Sequence, residues 1–567
     1  MPRLSIGERV RVTSLGTDRA RRRLVSRLLY SPALRWRYGS NVADQLLIIP
    51  QELRTRDPSF WNEIEVDQFG LAGSLAVLNG ESPFDTRPPS DAWERALHGF
   101  SWLRHLQAAE EASARDAARR LAVEWTSRYR GGGGGIAWEP DTIARRIMSW
   151  ITHANLLLED ADPKTYDAIT ESLGFQIVRL SATWRTAPAG LPRLLSLMGI
   201  VLGHLTIADH DQQLADAERL LASELSRQIL PDGGHISRNP SALVEILLDL
   251  LPLSQCFVAR NRKVPGEVAA AIEKSLAMLR FMRVGDGSLA RFNGTGIADP
   301  ANIATVLAYG ANAGRPVLES AQHSGYARLT GGRTILVADV GAPPPLEFAG
   351  TAHAGCLSFE LSHGPYLVFA NGGAPRQRDA EWVNKSRATV SHNTLCLGDK
   401  SSSKMVRHPF LEELVGGHPI RYPDVVFAET RQTDQGTRLE ASHDGYAHRF
   451  RLVHERTLEL SNDGFHLKGT DRIRGRSTDV RLRKDLPFSI HFRLHPNATV
   501  SAPSPENSVE IELPDGTAWS LRASGAKLSV EEAIYFADST GMLRTWQIVL
   551  RGTTFGSSEI KWEFYGA

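Results

Sequence analysis

From about residue 20 to residue 310, apolar residues recur at spacings near i, i+3, i+4 and i+7, which lays one apolar stripe along a helix. Trp93–Leu106, Ser113–Trp125, Thr142–Leu157, Tyr166–Trp184, Leu191–Ile207, Gln212–Gln228, Ser241–Phe257 and Val268–Phe281 carry this pattern. Breakers fall between them: the glycines at 131–135, then Asp160–Pro163, Thr186–Pro192, Pro231–Gly234 and Pro265–Gly266. Helices of that length joined by short loops predict antiparallel α-hairpins. After about residue 325 the period changes to two. Strands are predicted at Thr334–Val340, Leu357–Leu361, Tyr366–Phe369, Thr394–Leu397, Arg451–Leu460, Phe465–Arg472, Ser489–Leu494, Val509–Leu513, Ala518–Arg522 and Leu543–Arg551. Turn sequences at Ser461–Gly464 and Pro514–Gly516 separate some of these runs. A run of helices followed by a run of strands predicts an α+β multidomain chain. A helical domain over 1–310 precedes an antiparallel β-sandwich over 311–567.

Composition changes this picture little. Lys+Arg 65 against Asp+Glu 64 leaves a formal charge of +1, so no global charge points to nucleic acid or an anionic membrane. At 567 residues the chain has room for two cores. Cys256, Cys356 and Cys396 lie far apart with no CxxC, which predicts free buried thiols rather than disulfides or a zinc–thiolate site. No stretch approaches eighteen uncharged apolar residues, so no transmembrane helix is expected. The basic N-terminus does not read as a secretory signal, and Arg19, Arg21, Arg22, Arg23 and Arg27 are expected on the solvated face of a short helix.

Candidate chemistry concentrates between Ala352 and Ser402. His353 precedes a run in which Leu357, Phe359 and Leu361 alternate with Ser358, Glu360 and Ser362, the pattern of a strand with one buried face. His392 precedes another strand, and Asn371 stands between the two histidines before a pair of glycines. Two imidazoles and a carboxamide on adjacent strands can converge on a metal ion or an anionic substrate.

The pieces HAGCLSFEL, VFANGG and SRATVSHNTL resemble the second half of the heparinase II/III family of polysaccharide lyases. That family reads roughly H-A-D-x-L-S-F-E-L, a V-D-x-G strand end and R-x-T-x-x-H-N-T, so Gly355 and Asn371 stand where the pattern has aspartates. LSRQILPDGGHISRNP is similar to its Q-x-L-P-D-G-G-x-x-E-x-S-P segment, and GDGSLARFNGTG to its D-G-x-L-x-x-F-N-G turn. Trp138, Arg146 and Trp150 match a W-x(n)-R-x-x-x-W pattern. The resemblance implies an incomplete (α/α) toroid ahead of the sandwich. It also implies a carbon–oxygen lyase that cleaves uronate-containing polysaccharides by β-elimination. That reaction needs a group to neutralise the C5 carboxylate, a base for the C5 proton and an acid for the departing O4.

On this resemblance His235, His353, His392 and Arg238 are the candidate catalytic residues. Asn239, Arg387, Trp138, Trp150 and Tyr446 are the candidate substrate contacts, and His353, Asn371 and His392 are candidate ligands for a zinc ion in the sandwich. No cofactor is required for β-elimination itself. The sequence departs from the family at Ala242 and Leu243, where the pattern has Tyr-His, and at Thr351, where it has a further histidine. The alternative is a catalytically degenerate protein of the same fold that binds polysaccharide or serves exopolysaccharide biosynthesis. A hydrolase with paired carboxylates would have only Asp232 and Glu245 to offer. The expected partner is an acidic polysaccharide, with a homodimer as a possible state. The lack of an export signal places the chain in the cytoplasm by default, whereas the family implies the periplasm or cell envelope.

Overall fold

The computed structural model describes residues 4–29, 46–130, 132–310, 318, 320–376, 379–406, 409–423, 426–476 and 485–566. The first half is helical throughout, apart from a hairpin of Gln68–Leu71 with Ser74–Val77. Two predicted helices are broken. Trp93–Leu106 becomes Asp91–Gly99 and Leu103–Ala109, because Phe100 caps the first helix in the left-handed region at φ 56° and Trp102 Nε1 donates to Leu97 O across the turn. Thr142–Leu157 likewise divides at His153.

Phe100 is the reason for the first break. Its ring stands edge-on to Trp125 and Trp150 and tilts against Trp102 in a sealed aromatic cluster. Such rings bury about 150–250 Å² each, so the cluster outweighs the helical bonds lost at the turn. Arg146 lies inside it, 3.9 Å above Trp125, donating to Gln176 Oε1 and the carbonyls of His98 and Ala137. Trp138 and Trp150 belong to this core, each about 1% exposed. They offer no face to a sugar, which corrects the expectation of stacking platforms.

Among the described residues the second half holds three antiparallel sheets. The largest runs, edge to edge, Thr499–Val500, Ser508–Glu512, Ala518–Ser524, Glu559–Gly566, His466–Gly475, Leu452–Ser461, Gly436–His443, Val426–Thr433. A second runs Lys527–Asp538, Gly541–Thr553, Pro487–Arg493, Leu395–Leu397, and a third Tyr326–Gly331, Thr334–Asp339, Phe359–His363, Tyr366–Phe369. The strand Phe359–His363 is buried on both faces, not one. It sits inside the third sheet, and Glu360 is tolerated there because Arg291 lies 3.4 Å away and the Asn371 N–H donates to it. All three cysteines are buried and free.

The N-terminal helix is longer than predicted, running Ile6–Leu29, and it packs against the helix Pro409–Val415 of the second half. Glu8 anchors it there, accepting from Lys404 Nζ at 3.0 Å. Among the described residues one helix, Pro240–Ala259, is long and apolar enough to cross a membrane by length and composition, and most of it is buried inside the protein.

Candidate functional site

A cleft of about 740 Å³ opens where the two halves meet. The helical half supplies Pro188–Arg193 and the residues leading into the helix Pro240–Ala259; the other half supplies Leu346, Phe348, Thr351 and His418. The N-terminal helix forms a further wall with Ser14, Asp18 and Arg22. Of the sequence candidates, His235 and Asn239 line this cleft; His353, His392, Arg238, Arg387 and Asn371 are not among its lining residues.

The loop Asp232–Asn239 is fixed from both ends. Asp232 accepts from the backbone and hydroxyl of Ser324. Asn239 caps the next helix, its Oδ1 accepting from Ser241 N–H at 3.0 Å and Thr295 Oγ1 at 2.9 Å, with Pro240 in the first turn. Between them Arg238 adopts φ 57°, a conformation that costs about 1 kcal/mol or more for a non-glycine residue. Its guanidinium repays that by donating to Ser324 O, Gly341 O, Ala342 O, Gly325 O and Asp339 Oδ1. No N–H remains for a substrate carboxylate. Arg238 is a clamp between the halves, paired with Asp339 rather than free to act as the expected catalytic residue.

His235 is also committed. Ser237 N–H donates to its Nδ1 at 3.2 Å, which makes Nδ1 an acceptor and leaves Nε2–H to donate to Gln228 Oε1 at 2.8 Å. Burial disfavours the charged ring and lowers its pKa to about 4. A neutral ring with both nitrogens occupied cannot take a proton from a sugar without first breaking that bond.

His353 and His392 meet each other. His392 Nδ1 lies 2.8 Å from Ala388 O, so it donates there and presents a lone pair at Nε2. That lone pair faces His353 Nδ1 at 3.0 Å, the donor of the pair. Both rings are pushed toward the neutral form by burial, His392 to about 4. Gly355 has no room for a side chain, because a Cβ would come 2.7 Å from the His392 ring. An aspartate at that position, as in the family pattern, would displace the imidazole.

The donor set does not fit a zinc ion. Asn371 Oδ1 accepts from Asn393 N–H at 2.9 Å, the His392 lone pair is occupied, and the Arg387 cation bears on His353. Among the described residues no three His, Cys, Asp or Glu side chains converge. Without an anionic donor a divalent transition metal has little to hold it.

Two expected substrate contacts are structural. Arg387 Nε donates to Ala352 O at 2.9 Å and braces the loop before His353. Tyr446 is buried, and its hydroxyl donates to Leu395 O at 2.7 Å. Replacing Tyr446 with phenylalanine is expected to cost about 1–2 kcal/mol by stranding that carbonyl, measured as a shift in denaturation midpoint with no change in ligand retention.

Sequence reasoning overlooked Arg22, Arg193, Thr351 and His418 as cleft residues. Arg193 donates to Ala187 O, yet its Nε is buried with no partner. The partly exposed end of this guanidinium lines the cleft wall, where it can meet a carboxylate or sulfate.

Comparison with known proteins fits this layout. The family model described as "Heparinase II/III-like, C-terminal" matches residues 313–563. "FtsZ-localized protein C" of Caulobacter vibrioides is 31% identical over 515 residues, spanning 88% of this chain and 86% of that protein. Among solved structures, heparinase III superposes with a TM-score of 0.72 at 14% identity, over 94% of this chain and 88% of that one. A mutant of the heparan sulfate lyase HepC from Pedobacter heparinus gives 0.60 at 15% identity, over 99% and 88%. At those identities the structures speak for the fold, a helical toroid joined to a β-sandwich, while the relative aligns across both halves. This chain belongs to the heparinase II/III-like family.

Proposed function

We propose that the chain is a heparinase-fold binding protein that keeps the cleft of its family and has given up β-elimination. The observation that carries this reading is the hydrogen-bond state of its imidazoles. His235, His353 and His392 are neutral, buried and bonded to one another or to neighbouring side chains, and Ala242 stands where the family pattern has its tyrosine. Of these three only His235 lines the cleft, and both its nitrogens are engaged, so the proposed base has no lone pair free for the C5 proton. The cleft still offers Arg193, Arg22, Ser237, Asn239 and Thr351 against the apolar wall of Leu346 and Phe348, a mixture suited to an acidic glycan segment. The resemblance to a protein named for its localisation with FtsZ supports a place for this chain at the FtsZ structure.

Two measurements test it together. A fluorescent fusion in the native cell is expected to gather where FtsZ gathers. The purified chain is expected to retain acidic oligosaccharides without shortening them, with Arg193→Gln weakening retention about tenfold, as the loss of one charge-assisted contact predicts. A diffuse fusion together with no glycan retention would overturn the reading.

A further inference from the structure

The strand Val426–Thr433 ends the largest sheet, and among the described residues no other strand pairs with its outer side. It pairs with Gly436–His443 over eight consecutive residues without a bulge. Its side chains are largely exposed on both faces, Phe427 at 52%. An unbulged edge of this length displays a row of free backbone donors and acceptors.

The direction of those groups can be read from the ladder. Asn462 N–H donates to Gln435 O, so the odd-numbered residues following Gln435 along this strand face Leu452–Ser461 and the even-numbered ones face the edge strand. With Thr433 opposite Gly436, the edge residues bonded inward are Phe427, Glu429, Arg431 and Thr433. The N–H and C=O of Val426, Ala428, Thr430 and Gln432 point outward.

Charge adds a second, independent observation. Within the chain Glu429 stands opposite Glu440, and Arg431 opposite Arg438, two like-charge pairs directly across one ladder. Such pairs destabilise a sheet; Arg438 is offset by Glu459 on the next strand at 2.8 Å, whereas Arg431 of the edge strand has its contact along the same strand, with Glu429 at 2.8 Å.

We infer that this edge is a homodimer interface, in which two copies pair antiparallel about Thr430 and join their sheets into one. That register places Thr430 opposite its own copy and Ala428 opposite Gln432, all with outward backbone groups. It also sets Glu429 opposite Arg431 of the second copy, twice. Shifting the centre to 429 or 431 would still pair outward groups but would oppose two glutamates or two arginines, so charge selects the register centred on Thr430 over these neighbours. An isologous contact of this kind closes on itself and leaves no further edge there to grow. It is independent of the cleft reading.

The test is sedimentation velocity of the full chain up to about 100 µM, a range that captures a weak specific interface. A dimer is expected, weakened by salt. Thr430→Pro removes an outward N–H and no bond to the neighbouring strand, and is expected to raise the dimer dissociation constant tenfold or more. Glu429→Arg is expected to do the same, and adding Arg431→Glu to it to restore the dimer. Unchanged thermal midpoints would show that the variants remain folded. A wild-type chain monomeric throughout would overturn the inference. So would a dimer indifferent to both single variants, and a charge swap that fails to restore pairing would overturn the register.

Discussion

Lowering the pH from 6.5 toward 4 is expected to remove most of the stability of this chain. Burial holds His98 near 3 and His204, His235, His392 and His491 near 4, against an ordinary value of 6.5. The folded chain therefore binds these protons only well below the pH at which the unfolded chain takes them up. A depressed folded pKa contributes stability that is fully present above the unfolded value and is lost as pH falls toward the folded one. Each such imidazole contributes on the order of 3 kcal/mol across that window, and several act together against a typical total of about 5–15 kcal/mol. The carboxylates point the same way further down: Glu52 and Asp249, held near 2 by His153 and by Arg54 with Arg145, extend the loss below pH 4. Thermal midpoints measured across this range should drop steeply between pH 6.5 and 4.5. A flat profile down to pH 5 would mean that the imidazoles titrate freely, and that the site is wetter than its hydrogen bonds imply.

Arg238→Ala is expected to cost about 3–5 kcal/mol, the range for breaking a buried ion pair by removing one partner. The substitution strands Asp339, whose carboxyl burial already pushes upward, and leaves the carbonyls of Ser324, Gly325, Gly341 and Ala342 without their donor. Asn293 links the same carboxylate to the backbone of His353, so the damage should reach the cleft wall of the second half. Arg238→Lys should rescue little, because one ammonium cannot span five acceptors held in a plane. Denaturant unfolding followed by tryptophan fluorescence reads the helical half, where most of the sealed indoles sit. A loss under about 1 kcal/mol would show that the clamp is dispensable and reopen Arg238 as a ligand contact.

The sequence carried the architecture well, because helical and two-residue periods are properties of single segments. It failed where a neighbour decided the outcome. The break at Phe100 comes from indoles on other helices, and the strand Val426–Thr433 has no apolar alternation because neither face packs on a core. The site was legible as a set of residue types and illegible as chemistry. His235, His353 and His392 could each have been a base; what makes His235 and His392 unsuited is a partner on each nitrogen, while His353 is not among the cleft's lining residues, and Ser237, Gln228 and Ala388 carried no mark in the pattern. Asn239 was readable as a helix cap from the proline after it. Gly355 shows the limit most plainly: its departure from the family pattern was visible, but only the ring of His392 explains it.

The most direct test of the account is the ultraviolet absorbance of unsaturated uronate ends during incubation of the purified chain with heparan sulfate, alginate, hyaluronan and bacterial exopolysaccharides. Imidazoles locked in neutral hydrogen bonds predict a trace that stays on the blank for every substrate. A rising trace that disappears in His235→Ala would contradict that, and would make this cleft a working lyase.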